Sequence, residues 1–155
     1  MNMKRTWLWV IGTGVIISVG LLTVEQGYAD DATRCTLDTL KGQYLFSASG
    51  TLFPPAFGVT ENSQSNAAGY HIFNGDGTGT DVLTFRINGV TVPVTSPLPF
   101  TYTLKPDCTG TVTVPSGPLH FDIFAALDGE EVAYISTDQG FAESDGPQRR
   151  VRSSR

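Results

Sequence analysis

From residue 42 onward the chain is built of short runs in which apolar and polar residues alternate, and each run is broken by a turn-forming residue. Tyr44, Phe46 and Ala48 alternate with Leu45, Ser47 and Ser49, and Leu83, Phe85 and Ile87 with Val82, Thr84 and Arg86. Phe100, Tyr102 and Leu104 alternate with Thr101 and Thr103, and Val112 and Val114 with Thr111 and Thr113. Successive side chains of a strand point to opposite faces, so each run has one face to bury and one to hydrate. Further strands are expected over residues 69–74, 90–94, 119–127, 131–137 and 148–152. Only residues 32–40 offer anything like a helical stripe.

The links are short. Asn88-Gly89 is a two-residue hairpin signal, because a type I′ turn needs positive φ at both positions and these residues tolerate it. Asp107-Cys108-Thr109-Gly110 and Asp128-Gly129-Glu130 read the same way. Eight or nine short strands joined by tight turns predict an all-β fold. An antiparallel up-and-down β-barrel of about eight strands removes the exposed edges; a two-sheet β-sandwich is the alternative. Residues 54–67 form the one long link, rich in Gly, Asn and Ser, and are placed over one barrel end as a lid.

The amino terminus reads as a signal peptide over residues 1–29. Lys4 and Arg5 precede an apolar run over residues 7–24, and Gly27-Tyr28-Ala29 supplies the small-x-small exit, so cleavage is expected after Ala29. An uncleaved anchor is the alternative, because the run lies at the short limit for a spanning helix. Residues 31–34 before Cys35 lack the pattern that lipid attachment requires. Cleavage removes both Trp and both Met and leaves a single barrel domain over residues 30–152 with a basic tail at 153–155. That domain is secreted or periplasmic, with no membrane association after cleavage. Its length supports one core.

Cys35 and Cys108 are the only cysteines. In an oxidising compartment such a pair reads as one disulfide, which would close a loop of some seventy residues and stabilise the fold by about 4 kcal/mol. The competing reading, a reactive or metal-binding pair, lacks a Cys-x-x-Cys motif and a neighbouring histidine.

Fourteen of the fifteen acidic residues lie between residues 30 and 146, against four basic ones, whereas the last nine residues carry only arginine charge. An acidic body repels phosphate backbones, which argues against nucleic acid. The basic end suits either an anionic surface or a last strand with its arginines facing water, and the second reading is favoured.

Four stretches carry a resemblance: Cys35-Thr-Leu-Asp-Thr-Leu-Lys-Gly-Gln-Tyr-Leu-Phe46, Phe73-Asn-Gly-Asp-Gly77, Tyr102-Thr-Leu-Lys-Pro-Asp-Cys-Thr-Gly-Thr111 and Ile135-Ser-Thr-Asp138. Over about residues 35–152 the chain resembles a largely uncharacterised family of small secreted bacterial proteins. By topological analogy that family resembles calycin-type barrels such as lipocalins and allene oxide cyclase. The resemblance implies a small antiparallel barrel with room for an apolar cavity, and it transfers no catalytic motif.

Asn74, Asp76, Thr78 and Gly79 match the first, third, fifth and sixth positions of an EF-hand loop. The twelfth position, where a bidentate Glu belongs, is Phe85 in the middle of a strand, so a glycine-rich turn is favoured over a calcium site. No metal and no cofactor is expected. His71 shares the face of Phe73 and is expected to point inward, whereas Asp122 shares a face with His120 and Phe124. A histidine near a carboxylate in an apolar barrel can serve as acid or base, although a hydrogen-bonded core histidine is the commoner outcome. Gly-x-Ser-x-Gly, Gly-x-x-x-x-Gly-Lys, His-Glu-x-x-His and a dinucleotide fingerprint are all missing.

The reading is an exported barrel that binds a small apolar ligand or a partner protein. Phe46, His71, Phe85, Phe100, Tyr102, Phe121 and Tyr134 are the cavity candidates. An isomerase or cyclase of allene-oxide-cyclase type, working in the same cavity, is the alternative.

Overall fold

The computed structural model describes residues 34–117 and 119–152. The leader, its cleavage site and the tail at 153–155 lie outside the described residues. Among the described residues, nine strands follow a short 3₁₀ turn at Leu37–Leu40. They are β1 (Gly42–Leu52), β2 (Ser63–Phe73), β3 (Thr78–Ile87), β4 (Val90–Val92), β5 (Leu98–Leu104), β6 (Thr109–Val114), β7 (Leu119–Ala125), β8 (Glu131–Ser136) and β9 (Phe141–Arg150). Each pairs antiparallel with its neighbours in the order β2-β1-β9-β8-β7-β6-β5-β3, and a further β2–β3 pairing closes eight of them into a barrel. β4 is the ninth, a three-residue extension hairpinned onto β3 through Asn88 and Gly89, both at positive φ. The barrel expectation holds and the sandwich does not.

Two strands begin well before their expected first residues. β2 begins at Ser63 rather than residue 69, because Ser63, Ser65 and Ala67 point inward although none looks like a core residue. Its true length shortens the long link to residues 53–62. β9 begins at Phe141 rather than residue 148. Its inward phase passes from Phe141, Glu143 and Asp145 to Gln148 and Arg150 across an irregularity that contains Gly146-Pro147. A bulge tolerates a proline that a regular ladder would reject. Within the described part of the stripe over residues 32–40, only the 3₁₀ turn forms, its entry held by Thr36 N–H donating to Thr39 Oγ1 at 2.9 Å.

One barrel end is plugged. Leu40, Tyr44, Phe73, Phe100, Tyr102 and Ile123 meet in a cluster with almost no solvent exposure, and each large apolar side chain so buried contributes about 1.5–3 kcal/mol. The 3₁₀ turn caps this end, and the Cys35–Cys108 disulfide, with Cα atoms 5.0 Å apart, ties it to the β5–β6 turn. Arg150 belongs to the plug. Its guanidinium donates to Tyr44 Oη at 3.0 Å and to the Thr39 carbonyl at 2.6 Å, while Tyr44 Oη donates to the Gly129 carbonyl. Water-facing arginines were expected here; Arg149 and Arg152 are so placed, pairing with Glu131 and Glu130, but the bulge turns Arg150 inward.

Three turns at this end start from an aspartate that ties down its own backbone. Asp76 Oδ1 accepts from Thr78 N and Oγ1 at 2.9 and 2.6 Å, and Asp107 Oδ1 does the same for Thr109 at 3.0 and 2.7 Å. Asp128 accepts from Glu130 N at 3.0 Å. These are Asx turns. The hydrogen bonds from Thr78 and from Thr109 hold the Asp76 and Asp107 carboxyls below their usual range. Gly79, matched to the invariant glycine of a calcium loop, is a strand residue. A Cβ there would stand 2.2 Å from the Phe100 ring, so the plug requires glycine at this position.

Candidate functional site

The other barrel end is partly hollow, for a local reason. Over residues 63–69 the inward positions of β2 are Ser63, Ser65, Ala67 and Gly69, too small to reach the opposite wall. Ala67 is on the wall of a cavity of about 120 Å³ in this half of the barrel. Apolar side chains dominate its wall: Phe46, Leu83, Phe85, Val112, Phe121 and Phe141. Phe57, on the 3₁₀ turn Ala56–Gly58 of the β1–β2 link, stands at the mouth with its ring 5.7 Å from Phe85 and 5.3 Å from Phe141. It is 46% exposed, so one face of the ring meets water while the other closes the cavity.

Four polar side chains interrupt this wall: His71, Asp81, Glu143 and Asp145. The β2–β3 register sets His71 directly opposite Asp81, and Nδ1 lies 2.5 Å from Asp81 Oδ1. The imidazole is stacked between Phe46, 4.1 Å away at 17°, and Tyr134, 4.7 Å away at 13°. Asp81 fixes its tautomer, placing the proton on Nδ1 in the neutral form and leaving Nε2 as an acceptor.

Glu143 and Asp145 reach the cavity from β9. Burial pushes Glu143 up to about 7, with the neighbouring Asp145 charge adding to the shift and a 3.3 Å hydrogen bond from Ser65 opposing it. Burial raises Asp145 too, while a 2.7 Å hydrogen bond from Gln148 Nε2, and His71 when it is protonated, pull it down and Asp81 raises it again. Tyr134, fully enclosed, is driven well above the ordinary phenol value by its burial, helped by the Asp81 and Asp145 charges. His71 Nε2, Tyr134 Oη, Asp145 Oδ1 and Gln148 Oε1 are buried with no hydrogen-bond partner.

Five of the seven cavity candidates line this space: Phe46, His71, Phe85, Phe121 and Tyr134. Phe100 and Tyr102 do not. They belong to the plug, where Phe100 lies over Gly79 and packs 5.1 Å from Phe73, and Tyr102 Oη donates to the Leu37 carbonyl at 2.8 Å. The alternation had put them on the inner face, which is right, but at the filled end. His120 and Asp122 point outward; His120 Nδ1 meets Asp138 at 2.8 Å on the surface. No three His, Cys, Asp or Glu among the described residues converge as a metal site.

Sequence reasoning missed Asp81, Glu143, Asp145 and the mouth residue Phe57. Asp81 follows from the turn: with residues 74–78 forming it, Phe73 pairs with Gly79 and therefore His71 with Asp81. Glu143 and Asp145 alternate with Ala142 and Ser144 behind Phe141, a period-two run whose inner face is acidic. No family model, curated protein or solved structure matches the chain. The site is therefore interpreted from its own chemistry.

Proposed function

We propose that the protein is an exported binding protein whose open barrel half holds a small, mainly apolar molecule. One observation carries this: an aromatic-walled cavity that contains buried polar groups without partners, in a barrel whose other half is filled. Proteins seldom leave such groups unpaired, and a ligand that pairs with them gains what their burial costs. A void of about 150 Å³ lined by apolar side chains accepts benzene, so a cavity of about 120 Å³ open at Phe57 suits a ring or a short branched chain. The leader-like amino terminus and the disulfide support the export half of the proposal. A partner-protein role has a narrower footing, a row of three exposed apolar residues, Leu45, Tyr70 and Val82, aligned on the outer face.

Titration with toluene, followed by methyl NMR, tests the proposal. Leu83, Val112 and Val114 should shift while Leu40, Ile123 and Val132 stay still. Shifts confined to Leu45 and Val82 would move the function to the outer face, and no shift at saturation would end the cavity proposal.

The His71–Asp81 pair favours a second reading, an isomerase or cyclase working in the same space. A histidine positioned by a carboxylate can move a proton at Nε2. Under that reading His71→Asn stops turnover of a substrate from the native source and leaves its binding intact; if binding is lost in step with turnover, His71 serves recognition alone.

A further inference from the structure

The proposed ligand site has a lopsided inventory of charge and hydrogen-bonding groups. Three carboxylates, Asp81, Glu143 and Asp145, and one histidine line it, with no Lys or Arg. Three of the four unpartnered buried atoms belong to its lining residues and the fourth to Gln148, which donates to Asp145, and each can accept a hydrogen bond. Asp145 Oδ1 and Gln148 Oε1 only accept, His71 Nε2 accepts once Nδ1 donates to Asp81, and Tyr134 Oη does either. His71 and Tyr134 are 8% and 5% exposed, so bulk water does not compete freely for them. The site therefore has acceptors in excess of donors.

Resting on the binding proposal above, we infer that the ligand is a small organic amine bound as its ammonium ion, with the apolar body against Phe85 and Phe121 and the nitrogen toward Asp145, Glu143 and His71. An ammonium supplies three N–H donors and no acceptor, the complement of what the wall offers. Its charge offsets the cost of holding Glu143 and Asp145 ionised in a poorly hydrated space, a cost visible in their raised pKa values. Aromatic rings on several sides add cation–π attraction. A neutral ligand of the same shape would leave the acceptors unpaired, and an anion would face three carboxylates. A bound metal fits less well, because no three His, Cys, Asp or Glu side chains among the described residues come close enough together to ligate one ion.

The test compares benzylamine with toluene, near-isosteric molecules that differ in the ammonium group, by calorimetry at about pH 8 on the disulfide-intact protein. Benzylamine should bind at least about tenfold more tightly, the scale of one charge-assisted hydrogen bond gained in a buried site. Glu143→Gln and Asp145→Asn should each remove most of that advantage, and unchanged toluene binding in the same variants shows that the cavity has kept its shape. If toluene binds and benzylamine binds no better, the amine inference is wrong while the cavity proposal stands. If neither binds, both are wrong.

Discussion

Replacing Glu143 with Gln should make the protein more stable at alkaline pH and leave it nearly unchanged at acid pH. In the folded chain burial raises this carboxyl to about 7, against an ordinary value of 4.5. A carboxyl with a raised folded-state pKa contributes its full stability below the unfolded value and loses it as pH climbs through the folded one. The loss is therefore negligible below about pH 4.5 and nearly complete by about pH 8. At about 1.4 kcal/mol per pKa unit, a shift of this size corresponds to about 3 kcal/mol, which partial hydration at the barrel mouth lowers to about 1–3 kcal/mol. Gln has nearly the same shape, can still accept from Ser65, and never ionises. Urea unfolding followed by circular dichroism at about pH 5 and about pH 8 measures the difference. The wild type should lose stability between the two, and the variant should lose less by about 1–3 kcal/mol. Parallel losses in both proteins would mean that water reaches Glu143 freely, and the poorly hydrated acidic wall would have to be given up.

Three further outcomes follow from the fold. The Cys35→Ser, Cys108→Ser double variant frees a loop spanning 73 residues of sequence and should lose about 4 kcal/mol in chemical denaturation; a loss below about 1 kcal/mol would show that the plugged end is held without the bond. Gly79→Ala drives a methyl into the Phe100 ring and should cost about 1–3 kcal/mol, the range for overpacking a core. An unchanged melting temperature there would contradict the close approach of β3 to the plug. Calcium should leave the melting temperature of the wild type unmoved, because Asp76 is engaged with Thr78; a rise that Asp76→Ala abolishes would restore the calcium-loop reading.

The barrel was legible because its cause is periodic. Tyr44, Phe46 and Ala48 on β1, Phe85 on β3 and Val112 on β6 each face inward as their alternation requires, and Asn88-Gly89 turns as its residue types dictate. What was not legible depends on pairing across the sheet. Ser63-Gln-Ser-Asn-Ala-Ala has no apolar alternation, yet β1 holds it as a strand throughout, and its small inward side chains are the reason the barrel is hollow there. Glu143 and Asp145 were passed over because inward acids break the expected polarity of a strand, and Gly146-Pro147 looks like the start of a strand rather than a bulge within one. Phe100 and Tyr102 show the complementary limit. Alternation assigns a residue to a face, but its height along the barrel axis, which decides between plug and cavity, depends on register with neighbouring strands. The lining acids the sequence passed over, Asp81, Glu143 and Asp145, depart from the local strand rule that inward positions are apolar.

A crystal of the disulfide-intact protein pressurised with xenon tests the central claim most directly, since xenon occupies apolar voids of this size and leaves filled cores empty. The account predicts a xenon site between Phe85, Val112 and Phe121, within reach of His71 and beneath Phe57, and none among Leu40, Phe73 and Ile123. Absence of xenon from the open half, or its appearance in the plugged half, would contradict a barrel hollow at one end only.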